Sequence, residues 1–129
     1  IEAEVIDLRS ISPWDEQMVL ASAQKTGKLI VVHEDTHSCG LGGEIIATIA
    51  EKATTAVAMR RVARPDTFVP CNFANQIEVL PSLKRLMEAA AQLLDHDIQW
   101  ELPKQTPLGT VFPLEAVGTG PSDEAVEIV

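Results

Sequence analysis

The sequence contains no tyrosine, and its aromatic content is only 4%. An aliphatic core follows, and stacked aromatic platforms for single-stranded nucleic acid are excluded. Positive charge is also scarce. Ten Lys and Arg stand against nineteen Asp and Glu, a net charge of −9. Nucleic-acid and anionic-membrane surfaces need a positive field, so both are excluded as partners, while a basic protein partner is compatible. Long apolar runs are missing too; no stretch reaches the roughly 20 residues of a membrane-spanning helix. Only two cysteines occur, Cys39 and Cys71, far apart and outside any C-x-x-C spacing. Reduced thiols in the cytoplasm are the expectation.

What is present suits one compact domain. Hydrophobic residues make up 46% of 129, enough for a single core. The first residue is Ile1, not Met, and it opens a strand-like run. The expectation is therefore a piece of a longer protein.

Ala3–Arg9 is β-branched and partly alternating, which predicts a strand. Ser12 is placed to cap a helix with Pro13 at its first position and Asp15 in its first turn. That helix presents Trp14, Met18 and Ala21, with Val19 and Ala23 adjacent, and stops at Gly27. Lys28–Val32 is an uninterrupted apolar run, the signature of a strand buried on both faces. A glycine loop follows at Gly40, Gly42 and Gly43, then a helix over 42–53. Ala56–Ala63 predicts another strand, on which Arg60 and Arg61 point to opposite faces and one of them needs a partner. Arg64–Pro65–Asp66 predicts a turn with a local ion pair, and loop chemistry continues to Phe73. Leu83, Leu86, Met87, Ala90, Leu93 and Leu94 follow helical spacing over 82–94.

This order predicts an α/β fold, a three-layer sandwich with a mostly parallel sheet and helices on both faces. Residues 1–94 form the domain. Residues 95–129, rich in Pro and Gly, read as an extended tail or linker, packed back by Trp100, Leu108, Val111 and Phe112.

The segment His33–His37 spells H-E-x-x-H, a zinc-hydrolase signature using His33, Glu34 and His37. That chemistry needs both histidines one turn apart on a helix. Here the segment is entered from a strand and left through glycines, and Gly43 stands where a third ligand belongs. Two readings remain for the site His33, Glu34, Ser38, Gly40 and Gly42. One is structural, fixing the loop or an interface. The other is a ligand held by backbone amides at the helix start. Ser10, Ser12 and Ser38 lack a nucleophile-elbow context, so no catalytic residue and no metal ligand is assigned.

Ile6-Asp7-Leu8-Arg9, Pro13-Trp14-Asp15, Lys25-Thr26-Gly27, His33-Glu34 and the later Gly43-Glu44-Ile45 occur in a telling order. Together with RVARPDTFVP and LPS, they resemble the carboxyl-terminal domain of the beta subunits of thiamine-diphosphate-dependent 2-oxoacid dehydrogenases. The resemblance covers about Glu2 to Leu94. Arg64-Pro65 before Asp66 and Cys71-Asn72-Phe73 depart from the usual wording. It implies a transketolase C-terminal-like fold. It also implies that thiamine diphosphate and magnesium bind in preceding domains of the full enzyme, with no cofactor in this part.

The implied partners are the other domains of the same enzyme, a second copy in a dimer, and a lipoyl acyltransferase core. The implied location is the cytoplasm, or the mitochondrial matrix in a eukaryote. A transketolase or deoxyxylulose-phosphate synthase would share the fold, but I-D-L-R and K-T-G fit the dehydrogenase branch better. The tail resembles that of fused alpha/beta chains, and PSDEAVEIV resembles the first strand of a lipoyl-type domain.

Overall fold

The computed structural model describes residues 2–101 of the chain. The expected packing of Leu108, Val111 and Phe112, and the lipoyl-like segment Pro121–Val129, lie outside the described residues. In chain order the elements are α1 (Glu16–Thr26), β1 (Lys28–Thr36), α2 (Leu41–Lys52), β2 (Ala58–Arg64), α3 (Phe73–Val79) and α4 (Leu83–Leu94). The fold is α/β, with β1 and β2 parallel and joined through α2.

α1 begins later than its serine and proline predict. Asp15, not Ser12, is the cap, and its carboxylate accepts from the Met18 amide at 3.0 Å. The carboxylate satisfies a first-turn N–H and favours the positive helix end, so it is the stronger cap of the two. Gly27 closes the helix in the left-handed conformation (φ 68°), and its amide donates to the Ala23 carbonyl at 2.9 Å. The buried stripe is Val19 and Ala23. Of the neighbouring stripe, Trp14 packs partly on the core while Met18 is 53% exposed.

β1 continues past its apolar run to Thr36. Residues Lys28 to Val32 pair in register with Ala58 to Val62, an irregularity follows, and Thr36 pairs with Arg64. Polar HEDT can extend the strand because the ladder uses main-chain groups, whatever the side chains are. Burial on both faces is not achieved. Val31 is buried, but Val32 is 48% exposed.

The expected first strand is not one. Ala3–Arg9 has no ladder among the described residues, where the sheet holds only β1 and β2. Alternation does show in its second half: Ile6 and Leu8 pack partly on the core, and Asp7 between them is exposed. An extended chain can bury every second side chain without pairing its backbone.

The core joins α1, β1 and α2 through Val19, Ala23, Val31, Ile45 and Ile49, with Ile49 fully buried. α4 packs chiefly on β2. Ser82 caps it, accepting from the Arg85 amide at 3.3 Å. Arg85 then reaches out to donate to the carbonyls of Ala63, Val79 and Leu80, pinning α4 to the end of β2. α3 occupies a stretch whose turn chemistry predicts loop at its start. Asn72 caps it, accepting from the Ala74 amide at 2.9 Å.

Candidate functional site

Two parallel strands that lie side by side place the segments following them side by side. Here the β1–α2 loop meets the stretch after β2, at the carboxyl edge of the sheet. The contacts between them are specific. Ser38 donates from its amide to Asp66 Oδ1 at 2.8 Å and from its hydroxyl to Asp66 Oδ2 at 2.6 Å. The His37 amide donates to the Arg64 carbonyl at 2.8 Å. Arg61 donates to the His37 carbonyl at 2.7 Å. Arg64 donates to the Glu34 carbonyl at 3.3 Å and to the Thr67 carbonyl.

The two Ser38 hydrogen bonds hold the Asp66 carboxyl below the ordinary carboxylate value of 3.8. Hydrogen bonds to the charged form favour it. The turn at Arg64–Pro65–Asp66 therefore differs from expectation. Asp66 is clasped by Ser38 from the neighbouring loop, and Arg64 is spent on main-chain carbonyls. Of the two adjacent arginines, Arg61 finds the partner, while Arg60 is exposed.

Beside the clasp lies an open cleft of about 510 Å³, lined by Thr36, Ser38, Arg64, Asp66, Phe68 and Val69, among others. Phe68 stands 94% exposed on its rim.

The five residues singled out in the sequence do not form one constellation. Ser38 belongs to the clasp. Glu34 is exposed and contributes its main-chain carbonyl to Arg64. His33, Gly40 and Gly42 form a separate group. A Cβ on Gly40 would lie 2.8 Å from His33 Cε1, and one on Gly42 would lie 2.6 Å from His33 Cδ2. The Cε1–Nε2–Cδ2 edge of the imidazole thus abuts the start of α2, where only glycines leave room. Both glycines are buried.

Both ring nitrogens of His33 are closed off from solvent without a hydrogen-bond partner among the described residues. Loss of hydration lowers the His33 pKa below 6.5, aided by the Arg61 and His37 charges and opposed by Asp35. The neutral form of the ring is thus favoured.

This geometry overturns the zinc-hydrolase reading of His33, Glu34 and His37. His33 and Glu34 lie on a strand and His37 in the turn after it, so no helical face presents both histidines. The space the two glycines leave is taken by His33 and, at Gly40, by the Thr36 carbonyl as well, which gives both glycines a packing role. The partner expected for one of Arg60 and Arg61 is found at Arg61, but sequence reasoning missed the roles of Arg64 and Asp66. The available signal was positional: a polar residue just past a parallel strand lies at the edge where the neighbouring strand's loop emerges.

Residues 1–86 match the family model described as transketolase, C-terminal domain. Over 97 residues the chain is 38% identical to the pyruvate dehydrogenase E1 component subunit beta of Bacillus subtilis (strain 168), covering 74% of this chain and 30% of that protein. Over 96 residues it is 33% identical to the acetoin:2,6-dichlorophenolindophenol oxidoreductase subunit beta of the same organism, covering 73% and 28%. A pyruvate dehydrogenase E1 subunit beta of Staphylococcus epidermidis is 37% identical over 94 residues, 71% of this chain and 29% of that one. The chain thus spans about 30% of the length of these curated relatives. With the family model covering two thirds of its residues, the chain belongs to the transketolase C-terminal domain family.

Proposed function

We propose that this domain serves assembly within the decarboxylating component of a thiamine-diphosphate-dependent 2-oxoacid dehydrogenase, and takes no part in the chemistry. The parent enzyme decarboxylates a 2-oxo acid and passes the acyl group to lipoamide. Relatives named as beta subunits of pyruvate dehydrogenase and of an acetoin oxidoreductase support the dehydrogenase branch over a transketolase or deoxyxylulose-phosphate synthase.

The observation that carries the reading is the amount of apolar side chain left in water. Phe73 and Ile77 lie one turn apart on α3 and are 54% and 50% exposed; Ile11 is 64% exposed and Phe68 94%. Such surface is the mark of an interface. Its occupants in this proposal are the other domains of the enzyme and a second copy of the subunit. The acidic exterior suits a basic module on the lipoyl acyltransferase core.

The carboxyl-edge residues do not fit a magnesium–diphosphate group. Ser38 occupies Asp66, main-chain carbonyls occupy Arg61 and Arg64, and the nitrogens of His33 are closed off. The proposal therefore places thiamine diphosphate and magnesium in other domains.

The test replaces Phe73 and Ile77 with Asp in the full-length enzyme and follows assembly by sedimentation velocity. Circular dichroism melting of the same variant checks its fold. The expected result is a folded subunit that sediments as a smaller species. Unchanged sedimentation in a folded variant contradicts the assembly role of this surface.

A further inference from the structure

His33 is the one element of the H-E-x-x-H stretch for which neither zinc chemistry nor the Ser38–Asp66 clasp accounts. Its surroundings are unusual in one respect. A neutral imidazole carries one N–H and one acceptor nitrogen, and here both are shut away from water without partners among the described residues. A buried polar group in that state is tolerated only while it is uncharged. Protonation would add a second unpaired N–H and a full charge.

Of the three charges that act on the ring, Arg61 and His37 are of the wrong sign for an imidazolium, while Asp35, the strongest of the three, favours it. β2 supplies Arg61, and the turn after β1 supplies His37. α2 meets the ring with its amino-terminal end, the positive end of the helix dipole. Asp35 on β1 alone opposes them in the charge balance at the ring, while Glu44 in the first turn of α2 is exposed to solvent. The seat is formed by Gly40 and Gly42 with the Thr36 carbonyl and the Asp35 carboxylate beside Gly40, and no hydrogen bond among the described residues holds the ring in it. The adjoining loop is already bent out of its relaxed form: Cys39 has φ 60°, in the left-handed region that glycine prefers.

We propose that His33 is an acid-released latch, seated on Gly40 and Gly42 when neutral and expelled to water when protonated, so that the Thr36–Gly40 loop loosens from the start of α2. Ser38 lies within that loop, so release also relaxes its hold on Asp66 and opens the cleft at the carboxyl edge. The inference stands independently of the assembly role.

Hydrogen–deuterium exchange of the full-length protein, read by mass spectrometry and corrected for the intrinsic pH dependence of exchange, tests it. Between about pH 7.5 and about pH 5.5, protection over residues 33–44 should fall about tenfold relative to that over α4. His33→Phe keeps a flat ring with nothing to protonate, and it should abolish the difference. His33→Gln gives a second non-titrating variant should the larger ring not be accommodated. The latch is overturned if the wild-type loop and α4 share one pH response, or if a non-titrating variant loses protection as the wild type does.

Discussion

The imidazole of His33 fills the space that a side chain on Gly42 would need: a Cβ built there meets His33 Cδ2 at 2.6 Å. The pairing is between a strand residue and the start of the helix that follows it. It gives the glycine loop a packing reason.

The pairing predicts coupling. Gly42→Ala should destabilise the protein by about 1–3 kcal/mol through overpacking, outweighing the helix propensity that alanine gains. Once His33 is Ala, the same substitution should be nearly neutral or favourable. A double-mutant cycle by urea unfolding checks this, with an interaction energy of about 1 kcal/mol or more expected. Additive effects would mean that the ring does not occupy that space.

Gly27 gives a cleaner backbone case. It adopts φ 68°, and a Cβ there would meet nothing within 4 Å. Gly27→Ala should therefore lose about 1–2 kcal/mol from backbone conformation alone, with no clash to relieve. Gly27→Asn, which tolerates the left-handed region, should lose less. The order of the two midpoints in denaturant is the readout.

The Ser38–Asp66 clasp predicts a pH dependence of known sign. Asp66 titrates below its ordinary 3.8 in the folded protein. The folded state thus binds fewer protons than the unfolded state between the two values. The stabilisation is complete above 3.8 and declines as pH falls through the folded value. Removing the hydroxyl in Ser38→Ala should shift the Asp66 carboxyl titration upward, as followed by carboxyl carbon NMR. An unshifted titration would show that the hydroxyl does not hold the carboxylate.

His33 carries the same sign in a different window. Its pKa is lowered from 6.5, so the stability it contributes is complete above 6.5 and is lost as pH falls below that value. His33→Phe should flatten the dependence of the unfolding free energy on pH between about 7 and about 5. An unchanged slope would place the titrating group elsewhere.

Local signals made much of the fold legible. Gly27 ends α1 and Ser82 starts α4, because capping is decided within a few residues. The parallel pairing of β1 with β2 follows from a strand–helix–strand order. Ala3–Arg9 misleads because alternation reports which side chains are buried, not whether the backbone is paired. Of the two adjacent faces of α1, packing with Ile45 and Ile49 buries the one carrying Val19 and Ala23, which periodicity alone does not single out.

At the site, Gly40 and Gly42 are conspicuous in sequence, but what they accommodate is not. His33 reaches them only because β1 runs on through polar residues. Asp66 and Ser38 are 28 residues apart, and only the strand register brings them together.

Calorimetric titration of the folded chain with thiamine diphosphate and magnesium tests the non-catalytic assignment most directly. A cooperative thermal melt first establishes that the preparation is folded. The account predicts no heat beyond dilution, because it places the cofactor's binding groups in other domains. A saturable site at one cofactor per chain would contradict it.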